Sequence, residues 1–106
     1  MKNIKKWVLE TQTKDDIQAI AEYGCINGAC NDLIYYSDTV DFYDKHKEEI
    51  WEIVSQFAKE ILDMTVLSFV NSEDGFVDSD TTFKNKMAWL AVEITCDQIM
   101  RSEEVA

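Results

Sequence analysis

Apolar residues recur along most of this chain at spacings of three and four, the period of a helix with one buried face. The clearest case is LIYYSDTVDFYDKHKEEIWEI, Leu33 to Ile53, with its continuation to about Leu62. Its cap is Ser37 or Asp38, and as one continuous helix it advances about 100° per residue. Phe42, Tyr43, His46, Ile50, Ile53, Val54, Phe57 and Ile61 then fall within an arc of roughly 120°, the width of a core-facing stripe. Asp38, Asp41, Asp44, Glu48 and Glu52 fall within a separate arc of about 120°. Trp51 lies between the two. The pattern predicts a long amphipathic helix over 38–62 with a carboxylate ridge facing water.

The remaining segments read as shorter helices around it. Lys2 to Thr11 forms a helix burying Ile4, Trp7 and Val8. Thr13 with Asp16 three residues later imitates a capping box, Asp replacing the usual Glu or Gln, and starts a second helix. That helix buries Ile17, Ile20 and Ala21, and Gly24 is placed to close it. CINGACNDLIYY reads as a short third helix whose Gly28 and Ala29 would let another backbone approach. Residues 63–70 are ambiguous between strand and helix. A single strand would have no partner, so a helix is expected, capped by Asp63 or Thr65. NSEDGFVDSD is a loop on composition. The last helix, near 80–100, is apolar on two sides: Phe83, Met87, Leu90 and Ile94 on one, Trp89, Val92, Cys96 and Ile99 on the other. Such a helix is usually the buried centre of a bundle. The expectation is an all-α, compact bundle of five or six helices in a single domain, residues 1–106.

Composition supports that architecture and narrows the partners. The chain has 106 residues, 46% of them hydrophobic, enough for a core without disulfides or metal. It has no proline, so nothing forces a kink by removing a backbone donor. Its net charge is −11, and Lys2, Lys5, Lys6 and Lys14 against Glu10 leave residues 1–14 at +3 and the remainder at −14. Such a surface repels bare nucleic acid and anionic membrane and favours basic protein partners. MKNIKKWVLETQ never reaches the apolar run of a signal peptide, and no stretch approaches the ~20 apolar residues of a membrane span. Cys25, Cys30 and Cys96 are an odd count, which fits a reducing cytoplasm better than a disulfide framework.

Several chemistries can be weighed and set aside. His46 with the cysteines lacks the compact ligand pairs of common zinc modules, and reads instead as a partly buried histidine with small apolar thiols. Aligning Gly75 with the glycine of a calcium loop puts Val70 and Ser72 at ligand positions and Thr81 where the final Glu belongs. Gly24 and Gly28 do not make a phosphate loop, because no strand precedes them and no GK[ST] follows. Carboxylates on a polar helix face offer no pair with pKa values pushed apart for acid–base work. Tyr35, Tyr36, Phe42 and Tyr43 are bracketed by Asp32, Asp38, Asp41 and Asp44, the wrong charge for a base-stacking platform. No cofactor, metal or catalytic residue is expected. The third helix with Trp51 suggests a homodimer.

The ridge is what remains. Five acids in register span about 21 Å, one charge per ~5 Å, against one per about 1.7 Å in duplex DNA. Lys45 and Lys59 lie at its edge. To imitate DNA it would need further acids from Glu49, the 73–80 loop or a second subunit.

The elements Gly24, Cys25 and Gly28, then Leu33 to Thr39, then Phe42 to Asp44, then Phe83 to Glu93 resemble a family of small acidic proteins from bacteriophages and prophages. The resemblance covers about three quarters of the chain, with Tyr23 where a histidine commonly stands. It implies a phage origin and carries no established activity. Small acidic phage proteins often block host defence machinery at basic surfaces. By that analogy the expected function is inhibition of a nucleic-acid-handling defence enzyme, a CRISPR effector or restriction enzyme, in the host cytoplasm. Asp38, Asp41, Asp44, Glu48 and Glu52 would bind it. The alternative is a non-catalytic regulatory or structural module that uses an apolar face; a small metal-dependent enzyme is a third reading.

Overall fold

In a computed structural model the chain is described over residues 3–23, 36–72 and 80–105. These residues form five helices: α1 (Asn3–Thr11), α2 (Lys14–Tyr23), α3 (Tyr36–Glu60), α4 (Val66–Ser72) and α5 (Asp80–Val105). Among the described residues there is no strand, and the expected all-α bundle is what the chain forms. Residues 24–35, with Gly24 and nearly all of the expected third helix, and residues 73–79 of the expected loop lie outside the described residues; of that loop, Asn71 and Ser72 instead end α4 and Asp80 starts α5.

The doubly apolar helix is the hub. α5 packs against α1, α2, α3 and α4. Met87, Ala88, Leu90, Ala91, Val92, Ile94, Cys96 and Ile99 are all buried, so its apolar surface runs most of the way round. Thr95, buried among them, donates its hydroxyl to the Ala91 carbonyl at 2.7 Å, which removes the cost of an unpaired group. The helix continues past the expected end near Met100. An Asp97–Arg101 pair at 2.8 Å, acid one turn before base, supports that extension.

The shorter helices are set by local chemistry. Ile4 and Val8, one turn apart, bury the inner face of α1. The capping box before α2 forms as expected. Asp16 donates its amide to Thr13 Oγ1 at 3.1 Å, and Thr13 donates its own to Asp16 Oδ2 at 3.3 Å. α4 starts from Thr65, whose Oγ1 accepts the Ser68 amide at 3.1 Å, and it buries Phe69 and Val70.

α3 begins at Tyr36, so Ser37 and Asp38 lie within its first turn and do not cap it, and it differs from the expected continuous helix in two further ways. It is kinked at His46, where φ is −115° and ψ 23°. With no proline in the chain, the kink falls between two packing demands. Before it, Phe42 packs on Trp7 of α1 with ring centroids 5.0 Å apart. After it, Glu49 is drawn inward and only 7% exposed. Its Oε1 accepts the Asn3 amide at 3.0 Å and its Oε2 the Ile4 amide at 2.6 Å. A carboxylate on the free amides of a helix N-terminus meets both unpaired donors and the positive end of the dipole. Glu49 therefore fastens α1 to α3 and is not one of the outward acids. The second difference is the stop. Asp63 adopts a left-handed φ of 52°, and Met64 donates its amide to the Ala58 carbonyl at 2.8 Å. α3 ends at Glu60, and Ile61, expected in the core stripe, is 67% exposed.

Two stability measurements follow. Met87→Ala removes a fully buried side chain from the hub, so urea unfolding is expected to show a loss of about 2–5 kcal/mol. Glu49→Ala strips both bonds from the α1 amides, and a loss of about 2 kcal/mol or more is expected. A Glu49→Ala protein as stable as the parent would show that α1 is held by Ile4 and Val8 alone.

Candidate partner-binding face

Of the five ridge residues, Asp41, Asp44, Glu48 and Glu52 are exposed, as their positions predict. The side chain of Asp38 lies outside the described residues. The kink divides the series: Asp41 and Asp44 precede His46, while Glu48 and Glu52 follow it. A line of acids drawn by continuing one helical register through His46 is therefore not the one the backbone builds. Asp44 and Glu48 border an open polar cleft of about 490 Å³ with Asn3, Lys45, His46, Lys47 and Glu49. Glu52 borders a different cleft, with Lys5, Gln56 and Gln98 among its other walls.

Asp44 is also engaged. Lys84, reaching from α5, donates to Asp44 Oδ1 at 3.1 Å and pairs with Asp80 at 3.5 Å. The hydrogen bond to Asp44 is the main reason that the Lys84 pKa is raised. The ammonium stands 5.7 Å from the Tyr43 ring centroid. This cross-helix contact spans 40 residues of sequence, so no helical repeat announces it. Asp41, Glu48 and Glu52, by contrast, form no ion pair among the described residues. They are the available acids of the face.

The aromatic residues beside the acids are used internally. Trp51 donates its indole N–H to the Tyr43 hydroxyl at 2.7 Å, and its ring lies 5.9 Å from that of Phe83. Tyr43 is 4% exposed. Each polar tip thereby meets the other's, and the rings can be buried. Trp51, placed by the helical wheel between the apolar and acidic faces, is half-buried and joins α3 to α5.

The candidate reactive groups are similarly committed. His46 stacks on Phe42 at 4.7 Å and is half-buried. Burial pushes its pKa below the ordinary 6.5; Glu49 opposes the shift and Lys45 adds to it. Burial, helped by Glu93, pushes the Cys96 thiol up to about 12, so it stays protonated and is a poor nucleophile at neutral pH. Cys25 and Cys30 lie outside the described residues. Among the described residues no group of three or more His, Cys, Asp or Glu side chains is placed to hold a metal ion. Nor is any helix among them long and apolar enough to cross a membrane. Among the described residues the buried Asn85 amide and Trp89 indole N–H, one turn apart on α5, meet no hydrogen-bond partner.

One surface feature was not visible in the sequence pattern. Where α3 ends, an open groove of about 340 Å³ runs among α2, α3, α4 and α5. Phe57, Phe69, Leu90 and Ile94 line it, and Ile61 and Leu62 stand at its edge. No sequence signal locates it, because it depends on the left-handed backbone stop at Asp63, which releases the two aliphatic residues before it.

Residues 1–105 match the family model described as a domain of unknown function (DUF7222). No curated protein and no solved structure matches the chain.

The His46 environment predicts a pH dependence of stability. Its folded-state pKa lies below its unfolded value, so the unfolded chain binds the proton more readily. Stability is therefore expected to fall as pH drops from 6.5 toward the folded-state value, and this contribution is absent in His46→Gln. Denaturant midpoints at pH 7.5 and pH 5.5, compared between parent and variant, check it. An equal fall in both proteins would assign the change to carboxylates.

Proposed function

Since the chain belongs to the DUF7222 family, whose description names no activity, we propose from its geometry that it is a non-catalytic acidic binding protein. Its α3 acids dock on a basic surface of a nucleic-acid-handling enzyme. The observation that carries this reading is the set of exposed, unpaired carboxylates Asp41, Glu48 and Glu52, in a protein of net charge −11. A basic channel that normally holds phosphates attracts such a face, and the attraction raises association rates and selects partners more than it adds raw affinity. Resemblance to small acidic phage proteins supports a host defence enzyme, of CRISPR-effector or restriction type, as the target, and inhibition as the result.

With Asp44 tied to Lys84 the face is sparser than a five-acid ridge, and Glu49, turned inward, adds nothing to it. Among the described side chains the available acids, Asp41 to Glu52, cover about 16 Å along a kinked helix. That spacing does not reproduce the phosphate register of a duplex. The proposed mode is local occupation of a basic site, not imitation of a length of DNA.

The test begins with capture of partners from host lysate, identification by mass spectrometry, and an activity assay on the recovered enzyme. Inhibition is expected to weaken as salt rises. Asp41→Lys, Glu48→Lys and Glu52→Lys together replace attraction by repulsion at exposed positions where Lys is a good helix former. At least a roughly tenfold loss of inhibition is expected, equivalent to about 1.4 kcal/mol. Glu10→Lys with Asp15→Lys, exposed on α1 and α2, is the control and is expected to change little. A folded triple variant that inhibits as well as the parent would end the electrostatic reading.

A further inference from the structure

The groove at the end of α3 has the chemistry of a second binding site. Its floor is apolar and already built: Phe69, Leu90 and Ile94 are 3%, 2% and 5% exposed, and Phe57 packs on Phe69 at 5.7 Å. At its edge Ile61 and Leu62 are 67% and 39% exposed. Adjacent exposed aliphatics beside an apolar groove mark a surface that is covered in use. We propose that this groove receives an amphipathic helix of a partner protein, one with leucine-like anchors on one face and lysine or arginine on its flanks.

The helical form follows from the architecture. The described residues offer no sheet edge to which an extended peptide could add, whereas a groove between packed helices accepts an apolar stripe at i, i+3, i+4 and i+7. The basic flanks follow from charge. Glu22 borders the adjoining cleft beside Ala21, and the exposed Glu60 and Asp63 bracket Ile61 and Leu62 in the chain. Arg101 in the groove lining is paired with Asp97, so the two offset each other. A second copy of this chain would bring the same acidic rim against itself, each copy carrying −11. Like charges facing across an interface disfavour that arrangement, while a basic helix meets the rim with opposite charge. The α3 acids Asp41 and Glu48 line no part of this groove, so the site stands apart from the face argued above.

A labelled synthetic helix with leucine at the anchor positions and lysine elsewhere is the probe. Binding is read by fluorescence polarisation at salt above physiological, where loose charge attraction is screened. Saturable binding is expected, with amide shifts in NMR spectra concentrated at Phe57, Phe69, Leu90 and Ile94. Ile61→Gln with Leu62→Gln leaves the floor intact and is expected to weaken binding tenfold or more. Serine in place of the peptide's leucines should abolish it, while glutamate in place of its lysines should weaken it, and by less as salt rises. Asp41→Lys with Glu48→Lys is expected to keep the groove shifts, which separates this site from the α3 face. Equal binding by the Ile61→Gln, Leu62→Gln protein, or retention by the serine peptide, would overturn the proposal. Sedimentation showing a parent dimer that those two substitutions dissociate would overturn it in favour of self-association.

Discussion

The structure depends on the constraint that α5 cannot be left open on either side. A helix apolar most of the way round is unstable in water unless other elements cover it. Here α1, α2, α3 and α4 all pack against it. Ala88 and Ala91, both fully buried, let neighbours approach closely, while Met87, Val92 and Ile94 fill the space between. The remaining helices need only one apolar stripe each, because α5 supplies the second half of every contact it makes with them. This is why short helices such as α1 and α4, too short to persist alone, are ordered here.

Polar contacts then fix how those helices sit. Glu49 ties the start of α1 to the middle of α3, and Lys84 ties α5 to the half of α3 before the kink. The Trp51–Tyr43 hydrogen bond crosses the kink itself, joining a residue before His46 to one after it. Packing gives the bundle its free energy. These few directed bonds select one arrangement of the two halves of α3 and decide which acids remain available.

The surface left over is divided. Unpaired acids lie along α3, and aliphatic side chains collect where α3 stops at Asp63. On the proposed reading, charge on the one would guide encounter with a partner, and apolar surface in the groove would hold what has arrived. His46 and Cys96, the two candidate reactive groups within the described residues, are held by stacking and burial instead.

The sequence by itself determined the helices and their inner faces. Ile4 and Val8, Ile17 and Ile20, Ile50 and Val54, and the two stripes of α5 apart from the half-buried Phe83 and Trp89 are buried as their spacing requires, because helical periodicity is a local property. Thr13 with Asp16 and Thr65 acted as caps for the same reason, their bonds closing within one turn. The exposure of Asp41, Asp44, Glu48 and Glu52 was legible too. Tertiary structure decided what depends on partners distant in the chain. Glu49 lies among acids in sequence, yet the amides of Asn3 and Ile4 drew it inward from 45 or more residues away. Asp44 lost its freedom to Lys84, 40 residues on. The kink at His46 and the exposure of Ile61 likewise depend on packing and on the left-handed turn at Asp63. A helical wheel assumes a straight, isolated helix, so it could place each acid on a face but not tell which of them another helix would claim.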